Sequence, residues 1–490
     1  MLRNWTALDR PKKEELNVRL KAARRRLYVQ QMKLKEHKLP VLVLMEGWSA
    51  AGKGSLIGKV IKNIDPRFFK VATMEKSSQE EERYPFLHRY FAQIPEAGGF
   101  TFLDSGWMNE ICMERARREM DGELYRQRVE SVRRFERQLA DNGYLVLKFF
   151  CHISQQEQRK RIQGLCRKRD TRWRVTQTDQ WQNQHYGRCQ RVFDQYLEDT
   201  DIPVAPWYIV DAAKKKWAEL QILELLSGAI ETAMQNEARA VLVPQNNFPL
   251  VKMPRLREVS LEDKVIQEEK YRQELKELQS RLGALHNRLY RKQVPVILCY
   301  EGWDAAGKGG NIRRITEALD PRGFQVNPIA SPEPHEKARH YLWRFWTRLP
   351  KSGHVAIFDR SWYGRVMVER LEGFCSENDW QRAYNEINEF ERELADWGAV
   401  IIKFWVQIDK ETQLERFTAR ENTPEKRWKI TDEDWRNREK WEAYEGAVDE
   451  MIQKTSTAYA PWYILESVDK KYARIQALKI VIRKLEEALR

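Results

Sequence analysis

A repeat with a period of 255 residues constrains the fold of this chain more than any other feature of its sequence. Similarity over such a long period is typical of duplicated structural units, so we expect two copies of one domain. At 490 residues the chain is also too long for one ordinary hydrophobic core. The matched pairs run throughout the two halves: Lys53 with Lys308, Asp104 with Asp359, Lys148 with Lys403, Trp173 with Trp428, and APWYI at 205–209 with APWYI at 460–464.

The two copies are expected to meet near residue 250. The stretch 240–262 contains three prolines and has no clear periodicity, which is typical of a connector. We therefore predict an N-terminal domain over 1–250 and a C-terminal domain over 251–490. Within the repeat we predict one local slip, by one residue, because Trp181 aligns best with Trp435.

The composition limits the kinds of partner and the compartment. A formal net charge of +14 indicates an anionic partner, such as a nucleotide, a phosphate-rich ligand, nucleic acid or an acidic membrane surface. The six cysteines form no C-x-x-C pair, which favours reduced thiols. No apolar stretch reaches the length of a membrane span. We expect a soluble, cytoplasmic protein.

Each half has the element order of an α/β fold. In the C-terminal half a charged helical segment leads into the apolar strand VILCY, followed by a glycine-rich loop and a helix. Two more apolar strands follow, VAIFD at 355–359 and AVIIKFW at 399–405, separated by a long helix. Short apolar strands that alternate with helices predict a parallel sheet covered by helices on both faces, a three-layer α/β fold.

The loop EGWDAAGKGG at 301–310 carries the strongest chemical signal. Its residues Gly302 to Lys308 satisfy the pattern G-x-x-x-x-G-K between a strand and a helix, which is the context of a phosphate-binding loop. The glycines let backbone N–H groups converge on phosphate oxygens, and the lysine adds a full positive charge. We expect phosphate contacts from Gly302, Ala305, Ala306, Gly307, Lys308, Gly309 and Gly310.

Gly309 replaces the serine or threonine that normally binds magnesium in such a loop. Asp304 lies inside the loop and Asp359 ends the second strand at the same sheet edge, so the two carboxylates are candidate oxygen ligands for Mg²⁺. The alternative is that Asp304 caps the turn and Asp359 caps the next helix.

Basic residues accumulate around the same edge. Arg360 and Arg365 follow the second strand, and Lys403 lies in the third. The segment LERFTARENTPEKRWK at 414–429 adds Arg416, Arg420 and Arg427, and its charge and proline suit a lid that closes over phosphates. The alternative is a solvated basic helix with glutamate partners.

The motifs EGWDAAGKGG, YLWRFWTRLP, FDRSWYGRVMVER, KFW and ARENTPEKRWK together resemble the type-2 polyphosphate kinases, and the similarity spans nearly all of each half. The resemblance implies two tandem P-loop kinase domains with a helical lid, similar to thymidylate kinase. It implies Mg²⁺-dependent transfer of a phosphoryl group from inorganic polyphosphate to a nucleotide. Family members with two fused domains phosphorylate AMP, which points to AMP becoming ADP.

The resemblance also implies roles for single residues. Asp304 and Asp359 would bind magnesium, Lys308 and Arg360 would surround the transferring phosphoryl group, and the lid arginines would line the polyphosphate path. For the nucleotide we expect contacts from Tyr363, Glu369 and Trp428. Trp343 is another candidate for stacking on a base, although aromatic residues at helical spacing are also typical of a core. The return of Trp428 as Trp173 favours a structural role for that residue.

The N-terminal half departs from this pattern at the residues that matter most. We predict that it has little or no catalytic activity, although Lys53, Asp104, Lys148 and Arg161 leave phosphate binding open. The changes are Asp304 to Ser49, Arg360 to Ser105, Tyr363 to Met108, Arg365 to Glu110, Arg420 to Leu165 and Lys426 to Thr171.

Other functions remain to be separated. A polyphosphate kinase acting on ADP or GDP and an ATP-dependent nucleoside monophosphate kinase would use the same fold. A nucleic-acid-binding protein would also explain the charge, but the basic residues are interspersed with acidic ones and no base-reading module is present. We expect no nucleic acid or membrane partner, and the sequence leaves a homodimer or a larger oligomer open.

Overall fold

The computed structural model describes residues 1–7, 9–74, 77–235 and 247–490. The chain is divided into two compact units. The first comprises Met1–Ser78, Leu87–Val241 and Pro334–His340, and the second comprises Gln79–Phe86, Leu242–Glu333 and Tyr341–Arg490. The prediction of a single boundary near residue 250 did not include two short segments that belong to the opposite unit, Gln79–Phe86 and Pro334–His340. Residues 240–246 of the predicted connector lie outside the described residues, and Leu256–Glu258 further along it form a short 3₁₀ helix.

In the first unit, five described strands form a parallel sheet in the order β2-β3-β1-β4-β5. The central strand β1 is buried along its whole length, as expected for a parallel strand covered on both faces. The strands are β1 Val41–Gly47, β2 Phe69–Thr73, β3 Phe100–Asp104, β4 Leu145–His152 and β5 Trp207–Asp211. The helices are α1 Lys13–Glu36, α2 Lys53–Ile61, α3 His88–Phe91, α4 Trp107–Arg117, α5 Gly122–Asp141, α6 Gln155–Arg167, α7 Gln177–Gln184, α8 Tyr186–Thr200 and α9 Lys215–Gln235.

The second half repeats this arrangement, with its described strands in the equivalent order β7-β8-β6-β9-β10, all parallel. The α/β fold predicted for each half is confirmed. The strands are β6 Val296–Gly302, β7 Phe324–Pro328, β8 Val355–Asp359, β9 Val400–Gln407 and β10 Trp462–Glu466. The helices are α10 Glu268–Lys292, α11 Lys308–Thr316, α12 Pro334–Lys337, α13 Trp343–Trp346, α14 Val368–Leu371, α15 Glu377–Asp396, α16 Lys410–Glu421, α17 Asp432–Glu439, α18 Trp441–Thr455 and α19 Lys470–Ala488.

The one-residue slip predicted at Trp181 is wrong. Helix α7 begins after a capping box formed by Thr176 and Asp179, and α17 begins after the same box formed by Thr431 and Asp434, a spacing of 255 residues in both cases. Trp181 and Trp435 occupy neighbouring positions of the two helices and not equivalent ones, so matching them produced a false slip. The structure instead pairs Trp181 with Arg436 and Gln182 with Asn437.

Aromatic stacking beside the phosphate-binding loop supports the same register. Trp48 stacks on Tyr186 with ring centroids 3.8 Å apart, and Trp303 stacks on Trp441 at 3.7 Å. Both partners lie 255 residues apart, so the two loops are held in equivalent places by equivalent contacts. In the described ranges no helix is long and apolar enough to cross a membrane.

Candidate functional site

The phosphate-binding loop of the second unit joins the end of β6 to the start of α11. Gly302 has a φ of +151°, and a Cβ there would lie 2.6 Å from the carbonyl oxygen of Val406 in the neighbouring strand, so only glycine fits. Gly307, which caps α11, has a φ of +114° in the left-handed region. The loop thus directs its backbone toward the amino end of α11, where the helix dipole favours an anion.

Lys308 is the first residue of α11 and folds back over the loop. Its Nζ donates to the carbonyl oxygen of Gly302 at 2.7 Å and lies 3.3 Å from that of Trp303. The ammonium group therefore lies at the mouth of the loop.

Asp304 is held by donors from three other elements. Its Oδ1 lies 3.4 Å from Nη2 of Arg360, and its Oδ2 accepts the side-chain N–H of Asn437 at 3.0 Å. Gln413 of α16 donates to its backbone oxygen at 3.2 Å. The carboxylate is mostly buried, with 16% of its side chain exposed. Asn437 and Gln413 were not predicted, and the wrong register at α17 concealed Asn437.

Asp359 ends strand β8, directly beside β6, where it is the register partner of Tyr300. The next residue, Arg360, has a φ of +65° and donates its backbone N–H to the oxygen of Tyr300 at 3.0 Å. A non-glycine residue in this region is strained and persists only where its surroundings enforce it. The turn brings Arg360 back toward Asp304 in the loop.

Glu301, which sequence reasoning missed, holds this turn in place. The carboxylate is buried and its Oε1 accepts both the backbone N–H and the hydroxyl of Ser361 at 2.7 Å. Burial raises the pKa of Glu301, while the contacts with Ser361 and the charge of Lys308 oppose the rise. A glutamate inside the motif EGWDAAGKGG, next to the loop glycine, was the available sequence signal.

Arg365 and Glu369 lie on the segment after this turn and pair with each other. Nε of Arg365 is 3.2 Å from Oε2 of Glu369, and the guanidinium carbon lies 4.5 Å from the ring centre of Tyr341. The equivalent segment of the first unit is one continuous helix, α4. Here it is a 3₁₀ turn, Trp362–Val366, followed by the short helix α14.

The expected phosphate contact of Lys403 and the expected nucleotide contact of Tyr363 are wrong. Both side chains are fully buried. Nζ of Lys403 donates to Oε2 of Glu391 at 2.7 Å, to the carbonyl oxygen of Thr455 at 2.7 Å and to the hydroxyl of Tyr363 at 2.8 Å. All three ammonium protons are used, so the lysine belongs to the core.

Arg416 supports the phosphate-binding loop through hydrogen bonds to its backbone. Its guanidinium donates to the oxygens of Ala305 and Ala306 at 3.0 Å and to those of Ser467 and Val468 after β10. Burial lowers its pKa to about 10. The equivalent Arg161 contacts Ala50, Ala51, Ala212 and Ala213 in the same way. This geometry supports the loop and corrects the expectation that Arg416 lines the polyphosphate path.

The other residues of the predicted lid, Arg420, Arg427 and Trp428, lie near the surface. Arg420 is half-buried, and Nε of Arg427 donates to the backbone oxygen of Glu421 at 2.7 Å. Trp428 is 75% exposed and its counterpart Trp173 is 72% exposed, which contradicts a core role for either. In both, the indole N–H donates to the backbone oxygen three residues earlier. The side chain of Lys426 lies outside the described residues.

In the first unit a glutamine contacts the backbone of Ser49, the residue that replaces Asp304. Gln182 accepts the backbone N–H of Ser49 at 2.8 Å and is itself hydrogen-bonded to Gln158 at 2.7 Å. Burial raises the pKa of Asp104, the counterpart of Asp359, and Lys53 opposes the rise. This unit retains the glycine loop, Lys53 and Asp104, but the hydroxyls of Ser49 and Ser105 replace the charged side chains of Asp304 and Arg360.

The donor set of the second unit fits a magnesium ion. Asp304 and Asp359 lie at one sheet edge next to the phosphate-binding loop, and their carboxylate oxygens are hard ligands of the kind that Mg²⁺ prefers. Among the described residues no group of three or more aspartate, glutamate, histidine or cysteine side chains forms a metal site. An ion bound to these two carboxylates would complete its shell with phosphate oxygens and water, as Mg²⁺ prefers.

Comparison with known proteins assigns both halves of the chain to one family. The family model of polyphosphate kinase 2 (PPK2) matches residues 10–238 and 265–490. A polyphosphate:AMP phosphotransferase of Pseudomonas aeruginosa is 37% identical over 486 residues, covering 98% of this chain and 97% of that protein. A protein of the same name from Pseudomonas syringae pv. tomato is 38% identical over 476 residues, covering 96% and 95%.

A solved structure extends the likeness to three dimensions. The crystal structure of a candidate polyphosphate kinase 2 from Pseudomonas aeruginosa PA01 has a TM-score of 0.86 to this chain at 35% sequence identity. The match covers 100% of this chain and 99% of the other. This chain belongs to the polyphosphate kinase 2 family.

Proposed function

We propose that the protein is a polyphosphate:AMP phosphotransferase, which transfers a phosphoryl group from inorganic polyphosphate to AMP and releases ADP. The observation that carries the proposal is the meeting of Lys308, Asp304 and Arg360 around one phosphate-binding loop, with Asp359 at the neighbouring strand end. The full-length relatives named above support AMP as the acceptor, because the chain matches them over both units.

The reaction needs no general base from the protein. A phosphate monoester has a second pKa of about 6, so the attacking oxygen of AMP is largely ionised at neutral pH. Catalysis then depends on positioning and on neutralising the charge of the transferring group. Lys308 and Arg360 supply the positive charges, and Asp304 and Asp359 would hold Mg²⁺. Bound magnesium would neutralise phosphate oxygens and orient them.

We place the reaction in the second unit. The first unit retains Lys53 and Asp104, but Ser49 and Ser105 replace the loop carboxylate and the strand-end arginine. A cytoplasmic location is part of the proposal, because AMP and ADP are intracellular metabolites and all six cysteines are free thiols.

The test is to incubate the protein with AMP, long-chain polyphosphate and Mg²⁺ in the absence of ATP and to measure ADP. We expect ADP to form and to require polyphosphate. Formation of ADP only when ATP is added would identify a nucleoside monophosphate kinase instead. Conversion of ADP or GDP to the triphosphate, with AMP inert, would move the acceptor to the nucleoside diphosphates.

A further inference from the structure

The first unit contains a cationic cavity remote in sequence from its phosphate-binding loop. The cavity has a volume of about 500 Å³ and lies between the end of α4 and helix α8. Four arginines line it, and none of the described lining residues is acidic. Its size falls in the range of ligand pockets, roughly 300–1,000 Å³. The arginines are Arg115, Arg118, Arg188 and Arg191.

The nearby carboxylate of Asp199 is already occupied. Its Oδ2 accepts the hydroxyl of Tyr125 at 2.7 Å, and its Oδ1 accepts the side-chain N–H of Gln195 at 2.8 Å. Tyr125 and Gln195 both line the cavity. Asp199 therefore orients two polar lining residues, and its two oxygens are engaged by neutral donors and not by the arginines.

The second unit lacks the positive charge of three of these arginines at the equivalent positions. Gly373, Ala443 and Gly446 replace Arg118, Arg188 and Arg191. Arg370, the counterpart of Arg115, remains, but its Nη1 is 2.6 Å from Oε2 of Glu450, which replaces the neutral Gln195. The cationic cavity is therefore a property of the unit that has lost the catalytic groups.

The lid segment of the first unit shows the same shift of charge. Residues 159–174 contain eight lysines and arginines and one acidic residue, whereas the equivalent residues 414–429 contain five and three. Arginine matches phosphate oxygens with paired N–H donors, and each such contact is charge-assisted. Cationic charge at two places in one unit suits a ligand with many phosphate groups better than a single phosphate.

We propose that this cavity is a non-catalytic binding site for inorganic polyphosphate. The choice of polyphosphate rests on the proposed function, whereas the anionic character of the ligand rests on the four arginines. The site raises the amount of donor chain held by the protein and takes no part in the chemistry. Its loss is expected to raise KM for polyphosphate and to leave kcat unchanged.

The test uses the full chain with Arg118→Gly, Arg188→Ala and Arg191→Ala combined. The second unit carries glycine, alanine and glycine at these positions, and glycine suits the φ of +65° at Arg118. The control combines Lys270→Ala, Arg272→Ala and Lys276→Ala on the exposed face of α10, which removes the same charge. Titration calorimetry without nucleotide then compares tripolyphosphate, long-chain polyphosphate, AMP and an RNA oligonucleotide.

We expect the triple cavity variant to bind tripolyphosphate at least about tenfold more weakly, because it loses three charge-assisted donors. For long-chain polyphosphate the slope of log affinity against log salt is expected to fall by about two to three, one counterion for each lost cation. The α10 control is expected to keep the wild-type affinity and slope.

Unchanged affinity for both polyphosphates in the cavity variant would overturn the proposal. Loss of AMP or RNA binding with polyphosphate binding intact would also overturn it and would assign the cavity to a nucleotide or to nucleic acid. The proposed function is judged separately, by whether ADP is formed. A protein that makes no ADP but loses tripolyphosphate binding in the cavity variant would retain this site and lose the proposed function.

Discussion

Asn437 donates its side-chain N–H to the carboxylate of Asp304 at 3.0 Å. The equivalent Gln182 accepts the backbone N–H of Ser49 at 2.8 Å, so the amide in the first unit contacts the loop itself. One helix position thus contacts the side chain of the loop residue in one unit and its backbone in the other. The contrast supports the proposal that the reaction takes place in the second unit.

Replacing Asp304 by the residue of the first unit is expected to remove most of the activity. Asp304→Ser deletes a proposed metal ligand and leaves Arg360 without its carboxylate neighbour, and we expect kcat/KM to fall on the order of 100-fold or more. ADP formation measured over a range of Mg²⁺ concentrations checks the prediction. Ser49→Asp is the matched variant and is expected to add no activity, because Ser105 still replaces the arginine. Near-normal turnover by Asp304→Ser would exclude it as a required ligand.

Lys403→Met is expected to lower the free energy of unfolding. It leaves the carboxylate of Glu391 buried without its cation, which costs about 3–5 kcal/mol in the free energy of unfolding. Adding Glu391→Gln should restore part of the loss, since burial already raises the pKa of Glu391. Thermal and urea unfolding measure both variants. A normal unfolding midpoint together with a raised KM for polyphosphate would return Lys403 to the phosphate site.

Trp428→Ala is expected to raise KM for AMP with little effect on folding. The side chain is 75% exposed, so the free energy of unfolding should change by less than about 0.5 kcal/mol. Trp173→Ala is the matched control, with the same exposure and the same indole contact, and is expected to leave both substrates' KM values unchanged. Equal KM values for Trp428→Ala and the wild type would remove Trp428 from the nucleotide site.

The buried Glu46 of the first unit predicts a dependence of stability on pH. Burial raises its pKa from 4.5 to about 7. The folded chain therefore binds more protons than the unfolded chain between these values, and this group's contribution to stability falls as the pH rises through that window. Glu46→Gln keeps an oxygen that can accept from Gly106 and Asn109, and removes the charge.

The Glu46→Gln variant is expected to be stabilised at pH 8, by on the order of 3 kcal/mol, and to match the wild type near pH 4. Calorimetric unfolding at several pH values tests this. Glu36→Gln, at the exposed end of α1, serves as the control and should leave the pH profile unchanged. A wild-type pH profile in Glu46→Gln would show that another group governs the decline.

The sequence predicted the parts of the fold that local patterns determine. The central strands are mostly apolar, and the loop glycines mark the turn into α11, so β6, β8, β9 and the loop were found. The edge strands β2 and β7 were missed because they are short and partly exposed. Strand β10 was missed although it begins within the repeated sequence APWYI.

The structure brings Asp304, Lys308 and Arg360 together, as the motif of the loop and the motif of the strand end indicated, and their roles in the reaction stay predictions. The errors arose where side-chain direction decides the role. Lys403 stands in a strand of the same sheet, but its side chain points to Glu391 on α15. That pairing depends on tertiary packing, which a pattern of residue types does not contain. Glu301 was missed for the related reason that its partner, Ser361, is 60 residues away.

The comparison of two lysine variants tests most directly whether catalysis occurs in the second unit alone. Lys308→Ala and Lys53→Ala are measured side by side for ADP formation from AMP and polyphosphate with Mg²⁺. We expect Lys308→Ala to abolish turnover and Lys53→Ala to retain most of it. Equal losses in the two variants would contradict the assignment of catalysis to the second unit.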